Sequence, residues 1–188
     1  KNLGITTELM HLWFGFIDQL NEDGTREKMS SRKGVVLMEE LLDQAEEKAR
    51  AVIKGRDVSE EDIKKIALGA IKFSDFVADR RTNILFNWDT IFALTGVSGP
   101  YVQYAAVRVN KLLRDHGYGM PYVGTYDYAS EKDVLAKLLE YPEVVRRAAN
   151  ELEPHKVANY LYELARELNR YYEATPIATA ELVEGIRH

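Results

Sequence analysis

The sequence of 188 residues contains no cysteine. This absence excludes a disulfide scaffold, a thiolate zinc site and a cysteine nucleophile. No stretch approaches the roughly 18 consecutive apolar residues that a transmembrane helix needs, so we expect no membrane contact and a cytoplasmic location. The four histidines, at positions 11, 116, 155 and 188, do not fall at metal-ligand spacing, and we predict no metal site.

Positive charge is in the minority, with 25 basic against 30 acidic residues and a formal net charge of −5. This balance argues against a general nucleic-acid coat protein, although it is compatible with a local basic stripe. The hydrophobic content of 46% is ordinary for a globular protein. Because the first residue is Lys1 and no signal peptide follows, we expect a piece of a longer protein.

The chain is predicted to begin with a short α/β segment. Residues 11–17 are rich in aromatic and β-leaning side chains, which predicts a buried strand. A turn is predicted at 21–24, where Gly24 can adopt a positive φ. Residues 28–34 are polar and basic without an apolar period, which indicates a loop.

Apolar residues then recur at helical spacing almost to the end of the chain. Helices are predicted to begin before Leu41, at Ser59, at Ser98–Pro100, at Ser130, after Pro142 and at Glu153–Pro154. Pro142 is predicted to end one helix at Tyr141, because an interior proline removes a helical hydrogen bond. Residues 80–95 are predicted to be irregular, with Trp88 and Phe92 in the core. The break at 95–99 is the predicted domain boundary.

Loop 28–34 combines hydroxyls, cations and a glycine, which is a composition that suits a polyphosphate. From composition alone, a solvated basic loop is the simpler interpretation. The order of residues favours the phosphate-binding interpretation, because Lys28-Met29-Ser30-Ser31-Arg32 resembles the KMSKS signature loop of class I aminoacyl-tRNA synthetases. The stretch from Asp23 to Gly34 is similar to the arginyl-tRNA synthetase version.

Further motifs of the arginyl family follow in register. The block Ser98-Gly99-Pro100-Tyr101-Val102-Gln103-Tyr104-Ala105, with Arg108 after it, is similar to the opening of that family's anticodon-binding domain. Between the two, Asp79-Arg80-Arg81 and Phe86-Asn87-Trp88-Asp89 also match. The resemblance implies a remnant of a Rossmann-type catalytic domain at 1–38, connecting helices at 39–95 and an antiparallel helical anticodon-binding domain at 96–188. The chain as a whole is thus predicted to be mainly α.

The resemblance also implies a reaction, in which the full enzyme attaches arginine to tRNA(Arg) using ATP with Mg²⁺. The loop then contacts the ATP phosphates and stabilises their developing charge. The implied catalytic residues are Lys28, Ser30, Ser31 and Arg32, and the implied ATP-binding residues are Lys28, Met29, Ser30, Ser31 and Lys33. Ser31 replaces the second lysine of KMSKS, so the stabilising cation stays open among Lys28, Arg32 and Lys33.

Other parts of a class I enzyme are not found in the sequence. The HIGH-type tetrapeptide is missing, and residues 11–14 are no substitute. We therefore predict that this chain is inactive alone, retains no cofactor and is a monomer, and that its last helices are truncated at His188.

The helix from Pro100 carries a second candidate site. Tyr101, Tyr104, Arg108 and Lys111 are predicted to share one face, opposite a core stripe of Val102, Ala106, Val109 and Leu113. Such an aromatic and basic face suits unpaired RNA. The resemblance favours tRNA contact for Tyr101, Arg108 and Tyr172. The other candidates are Lys111, Arg166, Asn169 and Arg170, while Gln103 and Tyr104 are equally well explained as structural residues.

Three questions stay open at this point. Arg80 and Arg81 could meet tRNA phosphate or pair with Asp75 and Asp79. A different class I enzyme, such as a cysteinyl-tRNA synthetase, is one alternative to the arginyl family. A stand-alone helical RNA-binding or interaction module without catalysis is the other, and the phosphate-type loop argues against it.

Overall fold

A computed structural model describes residues 9–21, 23–29, 37–116 and 131–174. The chain is mainly helical with one small sheet, as predicted. The elements in order are β1 (Ile17–Leu20), β2 (Arg26–Lys28), α1 (Met38–Val52), α2 (Glu60–Val77), β3 (Ile84–Leu85), α3 (Trp88–Ile91), α4 (Gly99–His116), α5 (Lys132–Glu151) and α6 (His155–Ala174). No helix among these residues is long and apolar enough to span a membrane.

The sheet has the strand order β2-β1-β3. Strands β1 and β2 form an antiparallel hairpin, and the predicted turn between them is confirmed. Gly24 there has a φ of +79°, and its N–H donates to the Asn21 carbonyl at 2.9 Å. Strand β3 pairs in parallel with β1, with Ile17 opposite Ile84. The sheet therefore joins the beginning of the chain to residues that follow α2.

The prediction of a buried strand at residues 11–17 is wrong. The strand begins only at Ile17, and Phe14 is 77% exposed. Trp13 and Phe16 are also exposed. The aromatic composition reflects a preference for burial, but burial depends on an opposing layer, which the described residues do not provide over this segment.

Helices α1 and α2 pack through small side chains, and both were predicted. Ala45, Ala49 and Ala70 are fully buried, which lets the two backbones approach closely. Ser59 caps α2 by accepting a hydrogen bond from the Asp62 N–H at 3.1 Å. The predicted core role of Phe92 is confirmed.

Residues 80–95 are less irregular than predicted. They contain the short strand β3 and the one-turn helix α3. Trp88 packs against the core cluster as predicted, and its ring meets that of Phe86 edge-on at 4.8 Å. The two short elements escape prediction because neither is long enough to show a period.

Helix α4 begins where α2 and α4 touch. Gly99 lies so close to α2 that a β-carbon on it would sit 2.7 Å from the Ala70 Cα. Ser98 is buried, and its hydroxyl donates to the Ala93 carbonyl at 2.5 Å and accepts from the Tyr101 N–H at 3.3 Å. The break at 95–99 is therefore packed on α2, and its assignment as a domain boundary stays a prediction.

The predicted core stripe of α4 is wrong at one position. Ala106 is exposed, whereas Val102, Val109 and Leu113 are half-buried. Helix α4 packs against both α2 and α6, so the arc that these two helices cover does not coincide with a single apolar stripe.

Helix α5 is continuous through Pro142, so the predicted interruption at Tyr141 is wrong. The Tyr160 hydroxyl of α6 donates to the Lys137 carbonyl at 3.0 Å. This hydrogen bond ties the turn before Pro142 to α6, whereas the carbonyl that the proline leaves without a helical donor is that of Leu138, four residues earlier. The predicted helix start at Ser130 lies outside the described residues.

Helix α6 buries polar side chains and exposes an apolar one. Tyr160 and Asn169 are buried, whereas Leu161 is exposed.

Candidate functional site

The signature loop is described only at its beginning. Lys28 is the last residue of β2, and it is exposed. Its Nζ lies 3.1 Å from the centroid of the Phe16 ring, a cation–π contact. The Met29 N–H donates to the Ile17 carbonyl at 2.9 Å. The hairpin therefore determines where the loop starts. Ser30, Ser31, Arg32 and Lys33 lie outside the described residues.

The Arg108 guanidinium lies between two tyrosine rings. Its Cζ is 4.6 Å from the centroid of Tyr104 and 4.7 Å from that of Tyr172. Nη1 also donates to the Asn169 Oδ1 at 3.0 Å and lies 3.5 Å from the Glu173 Oε1. We call Tyr104, Arg108 and Tyr172 the Tyr–Arg–Tyr stack. Burial opposes the charge of Arg108, but Tyr104 and Glu173 outweigh it and raise its pKa.

The prediction that Tyr101 and Arg108 lie opposite the core is wrong, because both face α6. Tyr101 is half-buried, with its ring 5.6 Å from that of Tyr162. Arg108 reaches Asn169, which is itself buried. The helical spacing was read correctly, but the side of α4 that α6 covers could not be known from one helix alone.

The remaining candidates are one half-buried residue, Gln103, and three exposed cations. Gln103 is half-buried against α2, with its Nε2 3.4 Å from the Lys65 carbonyl. Lys111 is exposed. Arg166 and Arg170 are exposed but contact acids, at Glu167 for both and also at Asp133 of α5 for Arg170. The structure therefore groups Tyr104, Arg108, Asn169 and Tyr172, and it places Tyr101, Gln103 and Arg170 elsewhere.

Sequence reasoning missed Glu173, which lies beside Arg108. Its spacing from Asn169, four residues earlier on α6, is the signal that could have found it. Arg81 pairs with an acid, because its Nη2 lies 2.5 Å from the Asp79 Oδ2; its alternative contact with tRNA phosphate stays a prediction. The hydrogen bonds from Arg81 hold the pKa of Asp79 well below its ordinary value of 3.8. The described residues contain no group of three or more metal-ligating side chains.

Two family models match the chain. The model described as "tRNA synthetases class I (R), catalytic domain" matches residues 3–88. The model described as "DALR anticodon binding domain" matches residues 102–185. A catalytic-domain segment followed by an anticodon-binding domain places the chain among the class I aminoacyl-tRNA synthetases. The catalytic match also argues against a stand-alone helical module.

The names of the curated relatives identify arginine as the amino acid that those enzymes attach to tRNA. An arginine–tRNA ligase of Aliivibrio fischeri is 37% identical over 185 residues, which cover 94% of this chain and 32% of the relative. An arginine–tRNA ligase of Ignicoccus hospitalis is 36% identical over 168 residues, with 86% and 26% covered. The chain belongs to the arginyl-tRNA synthetase family, and it spans about a third of the length of these relatives.

Solved structures agree. Thermus thermophilus arginyl-tRNA synthetase superposes with a TM-score of 0.73 at 30% identity, over 91% of this chain and 30% of that one. Arginyl-tRNA synthetase from Plasmodium falciparum gives a TM-score of 0.70 over 96% of this chain and 31% of that one. At 19% identity, the second likeness concerns the fold alone.

Proposed function

We propose that this chain is the part of an arginine–tRNA ligase that supplies the ATP signature loop together with helices that bind tRNA and its anticodon. The complete enzyme attaches arginine to tRNA(Arg) in the cytoplasm, using ATP with Mg²⁺. The proposal is supported by the arginine–tRNA ligases that align with 94% of this chain. Because the chain spans only about a third of their length, we also propose that it forms no adenylate alone. A monomer is our further proposal.

The nucleotide role belongs to residues 28–33. Lys28 supports it, because it is an exposed residue at the end of β2, where the loop begins, and its ammonium group lies over the ring of Phe16, which is itself exposed. An ammonium group is a common partner for phosphate oxygens. By position in the motif, Ser30, Ser31, Arg32 and Lys33 act with it, and Met29 anchors the loop to β1 through its backbone.

The RNA role belongs to the surface that α4 and α6 share, and the Tyr–Arg–Tyr stack is the observation that carries it. Tyr104 is 41% exposed, so its ring is accessible to an unpaired base. The guanidinium of Arg108 is occupied by two rings and by Asn169. Arg108 therefore holds the rings in place, and the exposed Lys111 is the cation that meets phosphate.

Replacing Tyr104 by alanine in this chain tests the RNA role. Base stacking on an aromatic ring contributes about 1–3 kcal/mol per base, so Tyr104→Ala should weaken binding to a tRNA(Arg) transcript by about 5- to 150-fold. The matched control is Tyr141→Ala, which removes a similarly exposed tyrosine from α5. Fluorescence anisotropy measures both affinities, and urea unfolding verifies that both variants fold. An equal effect of the two substitutions would exclude Tyr104 as a specific contact.

A further inference from the structure

A single arginine binds two distant parts of the backbone. The Arg80 Nη1 donates to the Trp13 carbonyl at 2.8 Å, and its Nε donates to the Leu152 carbonyl at 3.2 Å. Trp13 precedes β1, and Leu152 lies in the turn between α5 and α6. Both donors belong to one planar, rigid group, so the two carbonyls are held at a set separation. We call this pair of hydrogen bonds the Arg80 bridge.

The neighbouring residue strengthens the contact at the same turn. Arg81 Nη2 lies 2.9 Å from Glu153 Oε1, and Lys156 Nζ lies 2.8 Å from Glu153 Oε2. The Glu153 side chain is only 10% exposed. A carboxylate at this burial needs charged partners, and one of the two comes from outside the helices that form the turn.

The turn itself has an unusual backbone. Leu152 adopts φ 55° and ψ 42°, and it is the only non-glycine residue with a positive φ in the part of the chain that the structure describes. This left-handed conformation is unfavourable for leucine and persists where surrounding contacts enforce it. Its carbonyl is the one that Arg80 binds.

On the other side, residues 80–83 are locked to the segment that enters β1. The Gly15 N–H donates to the Arg80 carbonyl at 2.7 Å, and the Phe16 N–H donates to the Asn83 Oδ1 at 3.0 Å. A β-carbon on Gly15 would lie 2.0 Å from the Thr82 carbonyl oxygen, so this close approach requires glycine. The hairpin that ends at Lys28 is therefore hydrogen-bonded to the segment that carries Arg80.

We propose that Arg80 is a positioning residue that sets the orientation of helices α4–α6 relative to the β1–β2 hairpin. The proposal rests on the proposed function in one respect, since that function makes these helices the RNA-binding part and the hairpin the base of the ATP loop. Neither ATP nor RNA is needed to test the bridge, so its failure and that of the proposed function are separable.

The lack of cysteine makes a distance measurement direct. Spin labels on Thr25→Cys in the hairpin turn and Ala149→Cys on α5, both exposed positions, report the orientation by electron paramagnetic resonance. A second pair, Asn110→Cys and Ala149→Cys, reports distances among the helices alone. Arg80→Met, which keeps an unbranched side chain as long as the arginine stem and removes both donors, should broaden the first distance distribution about twofold and leave the second unchanged.

Two further variants separate the bridge from charge and from general stability. Arg80→Lys keeps the charge but lacks the planar fork, so it should broaden the first distribution as Arg80→Met does. Arg146→Met removes an exposed arginine that contacts Glu143 within α5, and it should change neither distribution. Unchanged widths in Arg80→Met, or equal broadening of both label pairs, would overturn the proposal.

Hydrogen exchange gives a second readout on unlabelled protein. In Arg80→Met, the amide of Gly15 should exchange about tenfold faster or more, while the amides of α1 and α2 keep their wild-type rates. Uniform acceleration across all helices would show that Arg80 only contributes to global stability, and would contradict a positioning role.

Discussion

Two glycines at the contact between α2 and α4 allow the packing of the predicted RNA-binding helix to be tested. A β-carbon on Gly99 would lie 2.7 Å from the Ala70 Cα and 3.0 Å from the Gly69 carbonyl oxygen. Both atoms belong to backbone, which cannot rotate away. Ordinary contacts begin at 3.4 Å, so in Gly99→Ala the two helices must separate by several tenths of an ångström or more.

The size of the effect follows from the neighbours. Overpacking of this kind costs about 1–3 kcal/mol. Gly69→Ala is the matched control, because its nearest neighbour is the Gln103 Nε2 at 2.2 Å, the end of a flexible side chain. Alanine in a helix interior gains about 0.5–1 kcal/mol over glycine, which offsets the displacement of Gln103. We expect Gly99→Ala to be less stable than Gly69→Ala by about 2 kcal/mol.

Urea unfolding followed by circular dichroism measures this difference, provided that both variants unfold with the same dependence on urea concentration. If Gly99→Ala is as stable as Gly69→Ala, the close approach of α4 to α2 is wrong, and so is the placement of Tyr101 and Gln103 that depends on it.

Two further predictions concern single polar contacts. Tyr160→Phe should lower the free energy of unfolding by about 1 kcal/mol, because it removes the partly buried hydrogen bond from α6 to the Lys137 carbonyl of α5; urea unfolding measures it, and an unchanged stability would show that this hydrogen bond does not stabilise the packing of α5 on α6. Asp79→Asn should reduce the amount of stability that the chain loses in acid. Arg81 lowers the pKa of Asp79 in the folded chain, so the stabilisation of the fold by this ion pair is present above the ordinary pKa of 3.8 and disappears as the pH falls further. Parallel acid unfolding curves for wild type and Asp79→Asn would contradict that ion pair.

Local signals predicted local structure well. The turn at Gly24, the cap at Ser59 and the starts of α1 and α2 depend on neighbouring residues only, and all were predicted from the sequence. The start of α4 at the Ser98–Pro100 break belongs to the same group.

Tertiary effects explain what was not predicted. Pro142 stays inside α5, which packs against α6, and the sequence of α5 alone does not show that packing. Arg108 turns toward α6 because two helices flank α4, and a single helical period cannot tell which flank receives which side chain. The pairing of Arg81 with Glu153 joins residues 72 positions apart. The family motifs identified candidate residues, but only the packing shows that Tyr104 is exposed while Asn169 is buried.

The proposed role of the helices in reading tRNA is tested most directly by anticodon discrimination. Binding of this chain would be measured with tRNA(Arg) transcripts that differ only at the middle anticodon cytosine, each at two salt concentrations. If the surface around Tyr104 stacks anticodon bases, the unaltered transcript binds more tightly at both concentrations. Equal binding of both transcripts that disappears with salt would reveal only an electrostatic contact with the phosphate backbone, and would contradict anticodon recognition by these helices.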